Sequence, residues 1–222
     1  MKPPKPKKPT AFQRDAPDLP AAFLEAAAAE ALLRDDDFIA EDQLVQGLDL
    51  RNRSLRSFRA QGSLFENLQL SGGQFGSIVW RDVRLTGCDL ANVLAHRISL
   101  VRVEFIACRL TGFRTAALDW HDVLIEDCDA AYAQLQGGLF HACEFRRSNC
   151  READLQQAGL GGCLLRGCNL ARADLRGARL QDADFRDSDI DGMLVGLADL
   201  QGAIVDAPQA VSLARLMGLQ IR

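Results

Sequence analysis

From Leu50 to Val205 large apolar residues return at every fifth position, with no insertion or deletion. Thirty-two residue numbers in that span are multiples of five, and only Ala60, Ala95, Thr115, Ala130 and Cys150 lack a sizeable apolar side chain. The position two before each is a second apolar column. It reads Val83, Cys88, Val93, Ile98, Val103 and Cys108 in the first half and mostly alanine in the second, as at Ala153, Ala158, Ala173, Ala178 and Ala183. Arg, Asp, Glu, Gln, Asn, Ser and Gly dominate the other three positions. A period of five fits neither the 3.6-residue helix nor the two-residue strand, so the chain reads as a repeat architecture whose units bury their apolar faces by stacking.

The run Asn169-Leu170-Ala171-Arg172-Ala173-Asp174-Leu175-Arg176-Gly177-Ala178 closely resembles the pentapeptide-repeat family, whose unit is A(D/N)LXX. The resemblance implies an all-β solenoid: a right-handed quadrilateral parallel β-helix with helical caps at both ends. Four pentapeptides make one coil, and the central residue and the one two before it point inward. Thirty-two units then give about eight coils and, at roughly 4.8 Å per coil, a rod on the order of 40 Å long. Residues twenty apart should stack. The set Phe65, Leu85, Phe105, Ile125, Phe145, Leu165 and Phe185 is uniformly large, and small central residues are offset by large inward neighbours, as in Phe58 with Ala60 and Phe113 with Thr115. A close-packed interior needs that conservation of volume.

Outside the repeats the chain divides into three pieces. Residues 1–18 begin MKPPKPKKP, hold all four lysines, and read as a disordered Pro/Lys-rich tail without the uninterrupted apolar core of a signal peptide. Residues 19–49 read as an N-terminal helix and cap, because Pro20 precedes an Ala-, Leu- and Glu-rich stretch that reaches Arg34. Residues 50–205 are the β-helix. Residues 206–222 read as a C-terminal helix and cap opened by Asp206 and Pro208. Such caps cover the unpaired strand edges that would otherwise invite polymerisation.

All seven cysteines fall on inward positions: Cys88, Cys108, Cys128, Cys143, Cys163 and Cys168 two before a centre, and Cys150 at one. They read as small buried hydrophobes, with no metal site and no disulfide framework. Free thiols point to a reducing, cytoplasmic setting. No apolar run approaches the roughly 20 residues that span a bilayer, so no membrane partner is expected.

For function, the apolar residues at outward positions matter most. Leu64, Val79, Leu94, Val101, Ile106, Leu124, Leu139 and Leu164 form a candidate partner-binding surface, and Tyr132 shares their outward placing. Val211, Leu213, Leu216 and Met217 exceed one helical stripe and form a candidate dimer helix. The ending DAPQAVSLARLMGLQI is similar to the C-terminal helix of the pentapeptide-repeat proteins that protect DNA gyrase from quinolones. That resemblance implies a homodimer that mimics DNA and binds a type II topoisomerase. Charge opposes it: Leu50 to Val205 carries 18 Arg and no Lys against 19 Asp and Glu. A mimic of this length needs on the order of 20 unpaired acids, since duplex DNA carries one charge per roughly 1.7 Å.

Direct nucleic-acid binding is not expected. His121 and His141, twenty apart beside Asp122, read as exposed histidines without a firm third ligand. No nucleophile elbow, phosphate loop or paired-carboxylate cleft is present, so neither catalytic residues nor a cofactor are assigned. The sequence therefore reads as a non-enzymatic rigid protein-binding surface or scaffold with an unknown protein partner. A gyrase-binding DNA mimic and a secreted effector or secretion-associated repeat protein are the alternatives.

Overall fold

The five-residue beat becomes a coil because the chain bends after almost every unit. In most units the residue two past the centre has a left-handed backbone, as at Asn52, Asn67, Asp82, Asn92, Asp127 and Asp187. Gly, Asn and Asp tolerate that conformation best, which accounts for their recurrence there. The computed structural model describes residues 12–25, 29–216 and 218–220. Its strands are β1 (Leu24–Glu25), β2 (Leu33–Arg34), β3 (Asp37–Glu41), β4 (Gln43–Gln46), β5 (Ser54–Glu66), β6 (Gln74–Thr86), β7 (Leu94–Ile106), β8 (Arg114–Thr115), β9 (Leu118–Glu126), β10 (Leu139–His141), β11 (Glu144–Arg146) and β12 (Leu164–Arg166). One helix, α1 (Ala207–Leu216), follows them.

From β3 onward the coils pair in parallel and step by twenty, while β2 pairs with β3 antiparallel. Phe65 pairs with Leu85, Leu85 with Phe105, Phe105 with Ile125, Ile125 with Phe145, and Phe145 with Leu165. On another side Asp49, Gln69, Asp89, Arg109, Asp129, Asn149, Asn169 and Asp189 bridge each to the next, giving eight levels of the expected solenoid. The interior is filled. Ring contacts run Phe38, Phe58, Trp80, Phe105, Trp120, Phe140, Phe145, with centroids 4.5 to 6.2 Å apart. Each such pair contributes about 0.5–1.5 kcal/mol beyond its burial.

The two halves differ in cross-section at one corner. Ser57, Ser77, Arg97 and Ala117 are absent from the left-handed set, whereas their successors Gly137, Gln157 and Gly177 belong to it. The first half passes that corner in continuous 13-residue strands, and β10, β11 and β12 have three residues each. Gly73, at an inward position, makes room for its neighbour: a Cβ there would lie 2.8 Å from the Phe75 ring and 2.8 Å from the Leu70 carbonyl oxygen. Gly73→Ala should therefore lower stability by about 1–3 kcal/mol, the usual cost of overpacking. A urea midpoint equal to that of wild type would contradict this packing.

All seven cysteines are free and buried. The column at 88, 108, 128, 148, 168 and 188 shows that size is only part of their role. The Cys108 amide donates to Cys128 Sγ (3.3 Å), the Cys128 amide to Ser148 Oγ (3.1 Å), and the Cys168 amide to Ser188 Oγ (2.9 Å). Ser148 and Ser188 in turn donate to the Ile125 and Leu165 carbonyls. One thiol and two hydroxyls thus supply acceptors to inward-column backbone amides, groups that are costly to leave unpaired in a dry interior. The serines sharing that column were the signal for this role.

The N-terminal region departs from expectation in three ways. First, the expected helix in residues 19–49 is replaced among the described residues by β1, a four-residue 3-10 turn (Ala29–Leu32) and β2. The first coil presents an unpaired edge, and strand pairing satisfies it: the Leu24 amide donates to the Asp42 carbonyl (2.8 Å), and Leu24–Glu25 lies beside Gln43–Leu44. Local helix propensity loses to that demand. Second, the solenoid starts before Leu50, since β3 and β4 already pair with β5 in register. Phe38, Ala40 and Val45, which keep the beat, are buried in the core. Third, residues 12–18, expected within a disordered tail, pack on the rod. The rest of that tail, 1–11, lies outside the described residues.

At the other end, Asp206 and Gln209 form a reciprocal cap. The Gln209 amide donates to Asp206 Oδ1 and the Asp206 amide to Gln209 Oε1, both at 2.9 Å. The Gln209 Nε2 group also donates to the Phe185 and Ser188 carbonyls (2.6 and 2.7 Å), which fastens α1 to the last full coil. Gln209→Ala should cost about 1–3 kcal/mol because two buried carbonyls lose their donor. Thermal unfolding checks it, and an unchanged midpoint would show that the helix does not hold that end.

Candidate protein-binding surface

Twenty-residue register distributes the outward apolar residues over several columns. One column reads Leu64, Arg84, Glu104, Leu124, Glu144, Leu164. A second reads Val79, Ser99, Asp119, Leu139, and a third places Val101 beside His121 and His141. Leu94 is paired with Arg114, and Ile106 with Glu126. Charged residues interrupt the apolar ones, so they do not form the continuous strip that outward position alone suggests. Val79 and Leu139 are about 42% and 40% exposed, Leu124 is buried, and the other five are half-buried.

Leu124 is buried because another segment lies beside it. Residues 12–20 form a strap that runs across successive coils. The Asp18 amide donates to Asp82 Oδ1 (3.0 Å) and the Asp15 amide to Asp122 Oδ1 (3.1 Å). Arg14 reaches Glu104 at 3.0 Å and Glu144 at 4.0 Å, the two carboxylates that flank Leu124 in its column. Arg84 pairs with Glu104 from the other side (2.8 Å). Burial works against the charge of Asp82, yet two Arg102 hydrogen bonds at 2.6 Å and the Asp18 amide hold its carboxyl below the usual carboxylate range. At the Asp18–Pro20 end of the strap, a groove of about 270 Å³ is lined by Asp18, Pro20, Asp42, Gly62 and Asp82 among others.

Asp82, Arg102 and Asp122, twenty apart on successive levels, do not form a continuous charge ladder: Arg102 and the Asp18 amide take Asp82, and the Asp15 amide takes Asp122. Arg146, Arg166 and Arg186, also twenty apart, would repel one another as a column but are each paired with flanking acids. Arg146 pairs with Glu144 and Glu126, Arg166 with Asp187, and Arg186 with Asp184. The Arg186 guanidinium holds Asp184 below its ordinary range. Most of these pairs are half in solvent and add little stability; their effect is to neutralise the surface.

On α1, Val211 is exposed and Leu213 is buried against the last coil. The Leu216 side chain and Met217 lie outside the described residues. Leu194, Leu197 and Leu219, which the sequence reading did not single out, are exposed on the C-terminal part of the chain. His121 and His141 stack, and the carboxylate beside them is Asp119, since Asp122 is engaged by the strap.

The fold and its filled coils define a β-solenoid of five-residue units. Residues 148–192 match the family model of pentapeptide repeats in eight copies, and the same five-residue beat runs through the rest of the rod. No curated protein matches. Among solved structures, the chain is similar to the trypsin-treated M102R form of QnrB1, a plasmid-mediated fluoroquinolone resistance protein. The identity is 17% over 84% of this chain and 90% of that one, with a TM-score of 0.44. It is also similar to HetL, a pentapeptide-repeat protein involved in heterocyst differentiation regulation from the cyanobacterium Nostoc sp. strain PCC 7120. There the identity is 19% over 80% and 90% of the two chains, with a TM-score of 0.33. No helix among the described residues is long and apolar enough to cross a membrane.

Proposed function

We propose that this protein is a non-enzymatic scaffold whose rod surface binds an extended protein segment at the corner and column that hold the strap. The observation that carries this reading is the strap itself. An irregular stretch of polypeptide is held there through its backbone amides by Asp82 and Asp122, and through one arginine by Glu104 and Glu144. The rigid rod spaces those acceptors, so a ligand loses little to reorganisation of the protein.

Fluorescence anisotropy of a labelled peptide covering residues 10–20, added to a chain lacking residues 1–19, tests it. Saturable binding is expected, weakened about tenfold or more by Glu104→Ala. Failure of the folded rod to bind the peptide would remove the proposal. For self-association, the exposed Leu197, Val211 and Leu219 support a homodimer through the C-terminal end. Light scattering of Val211→Asp should then give half the mass of wild type, and equal masses would exclude that dimer. The pairing of acids with arginines disfavours a DNA mimic. Gyrase supercoiling inhibited by a quinolone should stay inhibited when this protein is added; restored supercoiling would reverse that reading.

A further inference from the structure

One face of the rod carries a donor cluster that the strap does not use. Asp119 and His121 point outward on β9, on either side of the inward Trp120. On the next level β10 brings Leu139 beside Asp119 and His141 beside His121. Parallel register superposes the imidazoles: their ring centroids are 4.4 Å apart and their planes differ by 15°. His121 Nε2 lies 3.0 Å from Asp119 Oδ1. One ligand atom from each of the three residues lies within 4.8 Å of the other two.

We propose that Asp119, His121 and His141 bind one divalent transition-metal ion, with at least one coordination position left to water or to a ligand of the partner. Bonds of about 2.0–2.1 Å to nitrogen in tetrahedral geometry need donors about 3.3 Å apart. Half-exposed rings can close to that separation by rotating about their side-chain bonds, while the paired backbone keeps the two histidines on adjacent levels. Two imidazoles and one carboxylate select zinc, nickel or copper over magnesium or calcium, which prefer all-oxygen sites. The buried thiols offer no competing site in the folded protein.

Titration calorimetry of the full chain with zinc chloride, and separately with magnesium chloride, tests the assignment. One zinc ion per chain and no magnesium are expected. His121→Ala and His141→Ala should each lower zinc affinity by at least about tenfold, the loss that even an outer partner of a metal ligand brings. His96→Ala, outside the cluster, should leave it unchanged. Copper loaded in zinc's place should show two coordinated nitrogens by paramagnetic resonance, and one in either variant. Absence of saturable zinc binding, or binding that survives the double His121→Ala/His141→Ala change in a folded protein, overturns the proposal.

Discussion

Phe105→Ala should lower the unfolding free energy by about 3–5 kcal/mol, the largest effect of any change proposed for this chain. The ring is 2% exposed, lies between Trp80 and Trp120, and stacks in register on Leu85 and Ile125. Domains are stable by only about 5–15 kcal/mol in total, so one missing ring removes a large share. A solenoid makes the loss more than local, because each coil touches mainly its neighbours and the cavity would sit at the junction of two stacks. Urea unfolding followed separately by circular dichroism and tryptophan fluorescence should show a lower midpoint. Phe105→Leu, which retains most of the volume, should shift it less. A loss under about 1 kcal/mol for the alanine variant would mean that the interior collapses to fill the space, contrary to a rigid backbone ladder.

The second large effect is chemical. In native buffer none of the seven thiols should react with a small alkylating reagent, and all seven should react in denaturant. Because every sulfur is buried, reaction must wait for opening, which slows labelling by on the order of a thousandfold or more. Burial raises the pKa of the Cys150 thiol well above its ordinary value and pushes that of Cys168 up to about 11. The unfolded chain ionises first. The stability tied to Cys168 is therefore complete below pH 9, the unfolded value, and is lost as pH rises through about 11. A thiol that labels fully in folded protein at neutral pH would show that its coil is open.

The core was legible in the sequence because its information is periodic. Phe65, Leu85 and Phe105 repeat at twenty, and nothing but a stacked coil brings them together. The inward position of each cysteine followed from the same arithmetic. Two regions were not legible in that way. The Ala-rich stretch before Arg34 has the composition of a helix, and only the unpaired edge of the first coil, a feature of the assembled rod, turns Leu24–Glu25 into strand. The strap has no period at all. Arg14, Asp15 and Asp18 meet Glu104, Asp122 and Asp82 across separations of 64 to 107 residues, and no local pattern encodes such pairings. The carboxylate beside the stacked histidines is Asp119 and not Asp122, their neighbour in number: strand alternation around Trp120 puts Asp119 and His121 on one face, and adjacency in sequence does not.

The strap also alters how the rod should answer to force. A bare stack of coils yields one storey at a time from whichever end is pulled, since nothing joins distant storeys. Here a splint runs lengthwise over the levels of Asp82, Glu104, Asp122 and Glu144, anchored by its own peptide groups and one guanidinium. Tension applied at the amino end must strip those anchors in succession before it reaches the first turn, so the molecule should resist peeling from that side more than from the other.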